Sequence, residues 1–229
     1  MRSLPGLIFA LLQMVIVCAL LIATGARAQT PAERADSTID DMKTYRLVSE
    51  NRTAVARIQR VFRKVERAAN SFDKSIAGRF RVLVVNTPEY AHAESHANGV
   101  IVITEAFAAF PEADIAFVLA HELAHEALDH PRLQALLSDQ IRGQESPASF
   151  QLRIVFGMLP QAVTDHLRSD EMAADATACV WLQRAHFSFD GAAFFQRMGR
   201  QPAANPAGSA THPSYSQRID NLQMLGCTR

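Results

Sequence analysis

Residues 115–128 decide the fold of this chain, and they read IAFVLAHELAHEAL. Apart from two histidines and two glutamates the run is apolar, which is typical of a helix buried in a protein core. Pro111 precedes it in a position that proline favours at the start of a helix. Two acidic residues follow in the first turn, where the helix dipole stabilises negative charge. We therefore expect a buried helix that ends near His130.

Within this run, His121-Glu122-Leu123-Ala124-His125 has the spacing of a metal-binding motif. Residues four apart lie on one face of a helix, so both imidazoles can reach a single ion. Glu122 lies one residue along and can act as a general base on an attacking water without ligating the metal. The competing interpretation is a pair of core histidines that bind no metal. The uninterrupted helical pattern around the motif favours the metal site.

A catalytic zinc site needs a third protein ligand and an open position. Glu171 and Asp175 lie one helical turn apart in Glu171-Met172-Ala173-Ala174-Asp175, with small residues between them that allow close helix packing. Glu171 is the candidate ligand, and Asp175 is then placed to hydrogen-bond a ligand imidazole. From the spacing alone, two solvated acids on a helix face remain an equal alternative.

Three motifs together resemble the zinc metallopeptidase family of HtpX and the CAAX prenyl proteases, closest to its soluble periplasmic branch, which includes BepA. They are residues 121–125, residues 168–175 (RSDEMAAD), and Thr211-His212-Pro213 with Arg218-Ile219. The likeness extends from about Phe80 to Leu225. It implies a gluzincin fold, one Zn²⁺ per chain, Glu171 as third ligand, Glu122 as general base and hydrolysis of peptide bonds.

The resemblance also implies a role for His212 near the metal. That histidine either stabilises the oxyanion or caps the zinc at rest, and both roles stay open. Arg218 is a weaker candidate for supporting the same loop or the oxyanion. The chain departs from the family pattern where Ala91-His92 and Glu105-Ala106 stand in place of Asn-Ala and Gly-Leu. His92 and His96, in a polar stretch, are more often solvated than metal-ligating.

Working outward, hydrophobic spacing predicts one helix from Pro31 to about Phe72 and further helices over 165–184, 191–198 and 213–225. Residues 80–85 and 100–104 are β-branched runs typical of strands, and 201–212 is a loop. The predicted fold class is α+β, mostly α-helical, with a small sheet beside the zinc helix. An extended substrate is expected to pair with an edge strand made of Val100, Ile101, Val102, Ile103 and Thr104.

The N-terminus has the pattern of a secretory signal peptide over residues 1–28. Arg2 precedes an apolar run over 4–23, and Ala26-Arg27-Ala28 forms a small-x-small cleavage site. A single metallopeptidase domain over 29–229 is expected to follow, periplasmic or secreted. The alternative is an inner-membrane anchor through residues 4–23, because about 20 apolar residues can span a bilayer.

Charge and cysteine content further restrict which partners and which compartment are expected for this protein. Without residues 1–28 the chain has 21 basic residues (23 less Arg2 and Arg27) and 23 acidic ones, a net charge of about −2. This balance argues against nucleic acid as a partner. Cys179 and Cys227 remain, and they form either one disulfide, as an oxidising compartment favours, or two free thiols.

The expected function is therefore a zinc endopeptidase that acts on polypeptides, namely unfolded or misassembled envelope proteins, with peripheral association to a membrane or to assembly machinery. The first alternative is a zinc-bound chaperone or adaptor that binds polypeptides with little cleavage. Intact Glu122 argues against it, since a pure binder needs no general base. The second alternative is a membrane-anchored version of the peptidase. A closed structural zinc site usually recruits cysteines, which neither ligand motif contains.

Overall fold

The structure, a computed structural model, describes residues 29–45, 47–86, 90–142, 161–201 and 204–227. The predicted signal peptide and residues 143–160 lie outside these described residues. The elements in chain order are α1 (Pro31–Thr44), α2 (Arg52–Asn70), a 3₁₀ turn (Lys74–Ile76), β1 (Arg81–Val85), β2 (Ala93–His96), β3 (Val100–Thr104), a second 3₁₀ turn (Glu105–Ala109), α3 (Glu112–Ala127), α4 (His130–Arg142), α5 (Gln161–Arg184), α6 (Gly191–Met198) and α7 (Tyr215–Met224).

This architecture confirms the predicted α+β class, mostly helical with one small sheet. The predicted single helix over residues 31–72 is wrong, because α1 and α2 are separate. Asn51 caps α2 by accepting a hydrogen bond from the Ala54 N–H, and just before it Val48 makes an isolated β-bridge with Val85. An asparagine N-cap and a backbone bridge both take the chain out of helical geometry.

The two helices pack on apolar clusters at different faces of the sheet. On one side Ile39 of α1 packs with Val85, Val100 and Val102, with Met42 and Leu83 at the margin. Alternate strand residues point the other way, into the main core, which includes Ile101 and Ile103 of β3 and Ile58, Val61, Phe62 and Val65 of α2. Separating α1 from α2 therefore covers both faces of the sheet.

The three strands are arranged in the order β1-β3-β2. β3 pairs parallel with β1, with Arg81 opposite Val100, and antiparallel with β2, with Ala93 opposite Ile103. The prediction that Val100–Thr104 is an edge strand is therefore wrong: all five of its residues are buried and both of its sides are paired. The reason is that part of the polar stretch before it, expected to be a loop, forms the edge strand β2.

The exposed edge of β2 presents its backbone at alternate residues. The Thr104 N–H donates to the His92 carbonyl at 2.9 Å, so His92, Glu94 and His96 direct their backbone groups towards β3. In an antiparallel pair these roles alternate along the strand. The N–H and C=O groups of Ala93 and Ser95 consequently point away from the sheet and are free to pair with an added strand.

The centre of the fold is α3, as its apolar sequence predicts. Thirteen of its sixteen residues are buried, from Asp114 to Glu126. It is enclosed by α2, α5 and the sheet, so its polar side chains must find partners inside the protein. Along the described ranges, no helix has the length and apolar character needed to cross a membrane.

Candidate metal centre

His121 and His125 project from one face of α3, one turn apart, as the four-residue spacing requires. Their exposures are 7% and 6%, and their Nε2 atoms lie 3.1 Å apart. The rings are nearly perpendicular, at an interplanar angle of 81°. Two ring nitrogens are thus directed at the same small space.

Glu171 approaches that space from α5. Its Oε2 lies 3.6 Å from the His121 Nε2, and its Oε1 lies 3.3 Å from the His125 Nε2. The three ligand atoms of His121, His125 and Glu171 are all within 4.8 Å of one another. Small residues of both helices have no exposed surface in the shared core, which lets α5 come close to α3: Ala120, Ala124, Ala174 and Ala178.

The remaining ring nitrogens show that this trio fits a metal cation. The His121 Nδ1 is 2.9 Å from the Asp175 Oδ1, and the His125 Nδ1 is 2.9 Å from the Nδ1 of His130. A neutral imidazole carries one proton, so donation from Nδ1 leaves Nε2 as an acceptor. Two acceptor nitrogens and a carboxylate then face each other, and this donor set suits zinc.

The electrostatics of the cluster also favour a positive charge. Burial and the Arg218 guanidinium lower the pKa of His121, but hydrogen bonds that the ring donates to Asp175 and Glu171 outweigh them and raise it to about 10. Burial raises the pKa of Glu171, yet hydrogen bonds to His121 and His125 hold it well below its usual range. Both shifts have the same cause, namely that the carboxylates of this cluster favour positive charge beside them.

Arg218 of α7 is a structural member of the centre. Its Nε and Nη2 donate to the two carboxylate oxygens of Asp175 at 2.8 and 2.7 Å. Its Nη1 lies 3.5 Å from Glu171, and its guanidinium stacks over the Phe195 ring at 4.9 Å. The carboxylates that Arg218 pairs with, Asp175 and Glu171, both belong to α5. Its positive charge therefore offsets their buried negative charge.

Glu122 faces an open cleft beside the three ligand candidates. The cleft has a volume of about 620 Å³, and Glu122 is 9% exposed. Its lining includes Tyr90 to Ser95, which takes in most of β2, and residues of the loop over 204–213. Glu122, the predicted general base, therefore borders the same cleft as His121, His125 and Glu171.

His212 lies on that loop and lines the same cleft. Its Nδ1 is 2.8 Å from the Thr211 hydroxyl, and its N–H donates to the Ser209 hydroxyl. Gly208 has a φ of +80°, and a Cβ added there would come within 2.7 Å of the His212 carbonyl oxygen. The loop shape that holds His212 consequently requires glycine at this position.

His92, directly before β2, and His96, its last residue, lie on either side of Glu94, and the cluster of three ligand candidates includes neither of them. Their Nε2 atoms are 3.5 and 3.1 Å from the Glu94 carboxylate oxygens. The bond to Glu94 raises the pKa of His92, and the two imidazoles hold the pKa of Glu94 well below its usual range. His96 therefore belongs to a strand and His92 to the segment that leads into it.

Cys179 and Cys227 are joined in a disulfide, with their Cα atoms 5.7 Å apart. The bond ties the segment after α7 to the C-terminal third of α5. Both helices contribute to the metal centre, through Arg218 and Glu171. The disulfide therefore links the elements that hold two of its charged residues.

Sequence reasoning missed His130 and Asp170, which are 7% and 6% exposed. His130 contacts the back of His125, and the His130 Nε2 lies 3.5 Å from the Asp170 Oδ1. Their signals in the sequence were weak: a histidine five residues after His125, and a second acid directly before Glu171. Neither spacing identifies a partner without the turn that follows α3.

Comparison with known families gives one match. The family described as peptidase family M48 matches residues 54–225, which is well over half of the 229-residue chain. No curated protein matches the chain. The matched range includes His121, Glu122, His125, Glu171 and His212.

Proposed function

The chain belongs to peptidase family M48, and from this premise we propose that it is a zinc-dependent endopeptidase. The observation that carries the proposal is the placement of His121, His125 and Glu171. Their ligand atoms cluster within 4.8 Å beside an open cleft. When bound, zinc supplies a Lewis acid that polarises the scissile carbonyl and makes water more acidic.

Glu122 supplies the proton transfer. Its carboxylate borders the cleft beside the two ligand histidines. There it accepts a proton from the attacking water and delivers it to the departing amine. Because His121, His125 and Glu171 hold the metal, Glu122 remains free for this role. His212 lines the same cleft, and we assign it either to the oxyanion or to capping the zinc at rest.

The substrate is an extended polypeptide that adds as a strand to β2. The outward backbone groups of Ala93 and Ser95 supply hydrogen bonds to its main chain. Recognition of backbone in place of side chains favours segments that are not folded. This supports unfolded or misassembled envelope proteins as the substrate class.

We place the protein in the periplasm or outside the cell, in the soluble BepA-like branch of the family, after removal of residues 1–28. The disulfide between Cys179 and Cys227 supports an oxidising compartment. Peripheral association with a membrane or with assembly machinery is part of the proposal. The mass of the exported protein distinguishes cleavage after Ala28 from a retained anchor.

The test compares zinc content and casein cleavage for the wild type and Glu122→Gln. We expect stoichiometric zinc in both and a fall in kcat of about 10²- to 10⁴-fold in the variant, because only proton transfer is lost. Glu112→Gln is the matched control: this glutamate begins the same helix and pairs with Lys64 at the surface.

Two other outcomes have defined meanings. Zinc in both proteins without cleavage by either favours the alternative of a polypeptide-binding chaperone or a capped enzyme, and His212→Ala then separates those two. A folded wild type that binds no zinc contradicts the proposal.

A further inference from the structure

The two ligand candidates on α3, His121 and His125, have different partners at their Nδ1 atoms. His121 reaches a carboxylate directly, because its Nδ1 lies 2.9 Å from Asp175. His125 reaches another imidazole, because its Nδ1 lies 2.9 Å from the Nδ1 of His130. The two rings of that pair have centroids 5.0 Å apart and an interplanar angle of 69°.

The turn after α3 brings His130 back onto His125. Asp129 adopts a left-handed conformation with φ of 63°, which is uncommon for a residue other than glycine but tolerated by aspartate. Its carboxylate pairs with Arg132 in the first turn of α4. α4 then begins at His130 itself, so the ring is fixed at the junction of two helices.

The far side of His130 meets a buried carboxylate. Its Nε2 lies 3.5 Å from the Oδ1 of Asp170, and the side-chain amide of Gln134 donates to the Asp170 Oδ2 at 3.4 Å. Asp170 immediately precedes Glu171 in α5. A buried carboxylate and a buried imidazole are each costly without a polar partner, and this contact gives each of them one.

Two ring nitrogens 2.9 Å apart form a hydrogen bond only if one of them carries a proton. The Nε2 of His125 faces His121 and Glu171, so as a ligand atom it carries none. The proton of His125 must then be on Nδ1 and is donated to His130. A neutral His130 in turn holds its own proton on Nε2, directed at Asp170.

We propose that His130 and Asp170 form a positioning relay that sets the tautomer and ring orientation of His125, as Asp175 does for His121. The proposal rests on the proposed function only in taking His125 as a metal ligand. α5 then carries three acids with separate tasks: Asp170 orients His130, Glu171 ligates, and Asp175 orients His121. One helix thereby sets both ligand histidines of α3.

The experiment measures zinc affinity by competition with a chromophoric chelator, using the whole chain. Removal of an orienting partner typically lowers metal affinity 10- to 100-fold, and we expect this range for His130→Leu and for Asp170→Ala. His130→Asn keeps an acceptor close to the Nδ1 position and should restore most of the affinity. His166→Leu is the control, because that exposed ring lies 3.8 Å from Asp170 and should leave affinity unchanged.

A double variant separates a relay from general damage to the fold. In a relay, the double variant His130→Leu with Asp170→Ala loses little more zinc affinity than either single variant, because each single change already interrupts the series of hydrogen bonds. Independent packing effects would multiply. Multiplying losses, or a folded His130→Leu protein within about twofold of wild type, would overturn the proposal.

Failure of the metal site itself gives a different result, namely a wild type without zinc affinity. Histidine ¹⁵N chemical shifts then test the relay directly. We expect a protonated Nδ1 on His125 in the wild type that is lost in His130→Leu. A His125 protonated only at Nε2 in the wild type would overturn the relay.

Discussion

Two walls of the cleft are built on different principles. The helical wall consists of α3 and α5 and holds His121, Glu122, His125 and Glu171 at 6–9% exposure. The strand wall consists of Tyr90 to Ser95 with β2, whose residues are all partly exposed. The first wall holds charged side chains where water is scarce, and the second offers backbone groups to solvent. In the proposed function, the chemistry belongs to the buried wall and substrate binding to the open edge.

The difference shows in how each wall keeps its polar groups satisfied. In the helical wall the buried charged side chains depend on their polar partners, because a buried charge without a partner costs several kcal/mol. Asp175, with no exposed surface, is bonded to both His121 and Arg218. The strand wall needs no such network, because the outward backbone groups of Ala93 and Ser95 can hydrogen-bond to water. The predictions below are ordered by their expected effect.

The largest effect is expected from removing a ligand in the helical wall. Glu171→Ala should abolish stoichiometric zinc and reduce casein cleavage below detection, because two histidines alone leave the cation under-coordinated. Metal analysis of the purified protein measures this. Full zinc in the variant would show that the helical wall holds its cation without Glu171.

The next effect comes from the partner of His121. Asp175→Asn should lower zinc affinity about 10- to 100-fold and also lower the free energy of unfolding, because Arg218 loses its buried counter-charge. Chelator competition and urea unfolding report the two losses separately. Unchanged affinity together with lower stability would restrict Asp175 to a structural role.

On the strand wall, Ala93→Pro should raise KM and leave the melting temperature nearly unchanged. Proline removes one outward N–H, and proline is tolerated at an edge where that N–H faces solvent. Loss of one backbone hydrogen bond costs about 1 kcal/mol, or roughly fivefold in KM.

Glu94→Pro is the matched comparison, because the Glu94 N–H is directed at β3 and its loss should lower the melting temperature. A KM unchanged by Ala93→Pro would show that substrates do not pair with β2.

The smallest effect on activity is expected from the disulfide, which joins α5 to the segment after α7. Cys179→Ser with Cys227→Ser removes a cross-link between residues 48 apart. The free energy of unfolding should fall by about 2–4 kcal/mol, while kcat of the folded protein should stay the same. Urea unfolding at equal activity measures this. A fall in kcat at full folding would mean that the disulfide positions Arg218.

The two walls also differ in how well they could be predicted from sequence. α3 was predictable because a helix buried on all sides leaves a long apolar run, and four-residue spacing alone puts His121 and His125 together. β2 was missed because its sequence, Ala93-Glu94-Ser95-His96, has no apolar alternation. The same omission made Val100–Thr104 an edge strand when it is the central one.

Sequence by itself determined the fold class and the candidate ligands, since these depend on periodicities of a few residues along one helix. Tertiary structure decided which carboxylate meets which imidazole, where Arg218 binds, that Cys179 meets Cys227, and that β2 forms the open edge. Those relations join residues tens of positions apart, and helix packing and strand pairing set them. Short-range spacing therefore predicts the metal site, but only the tertiary structure shows which side chains orient each ligand.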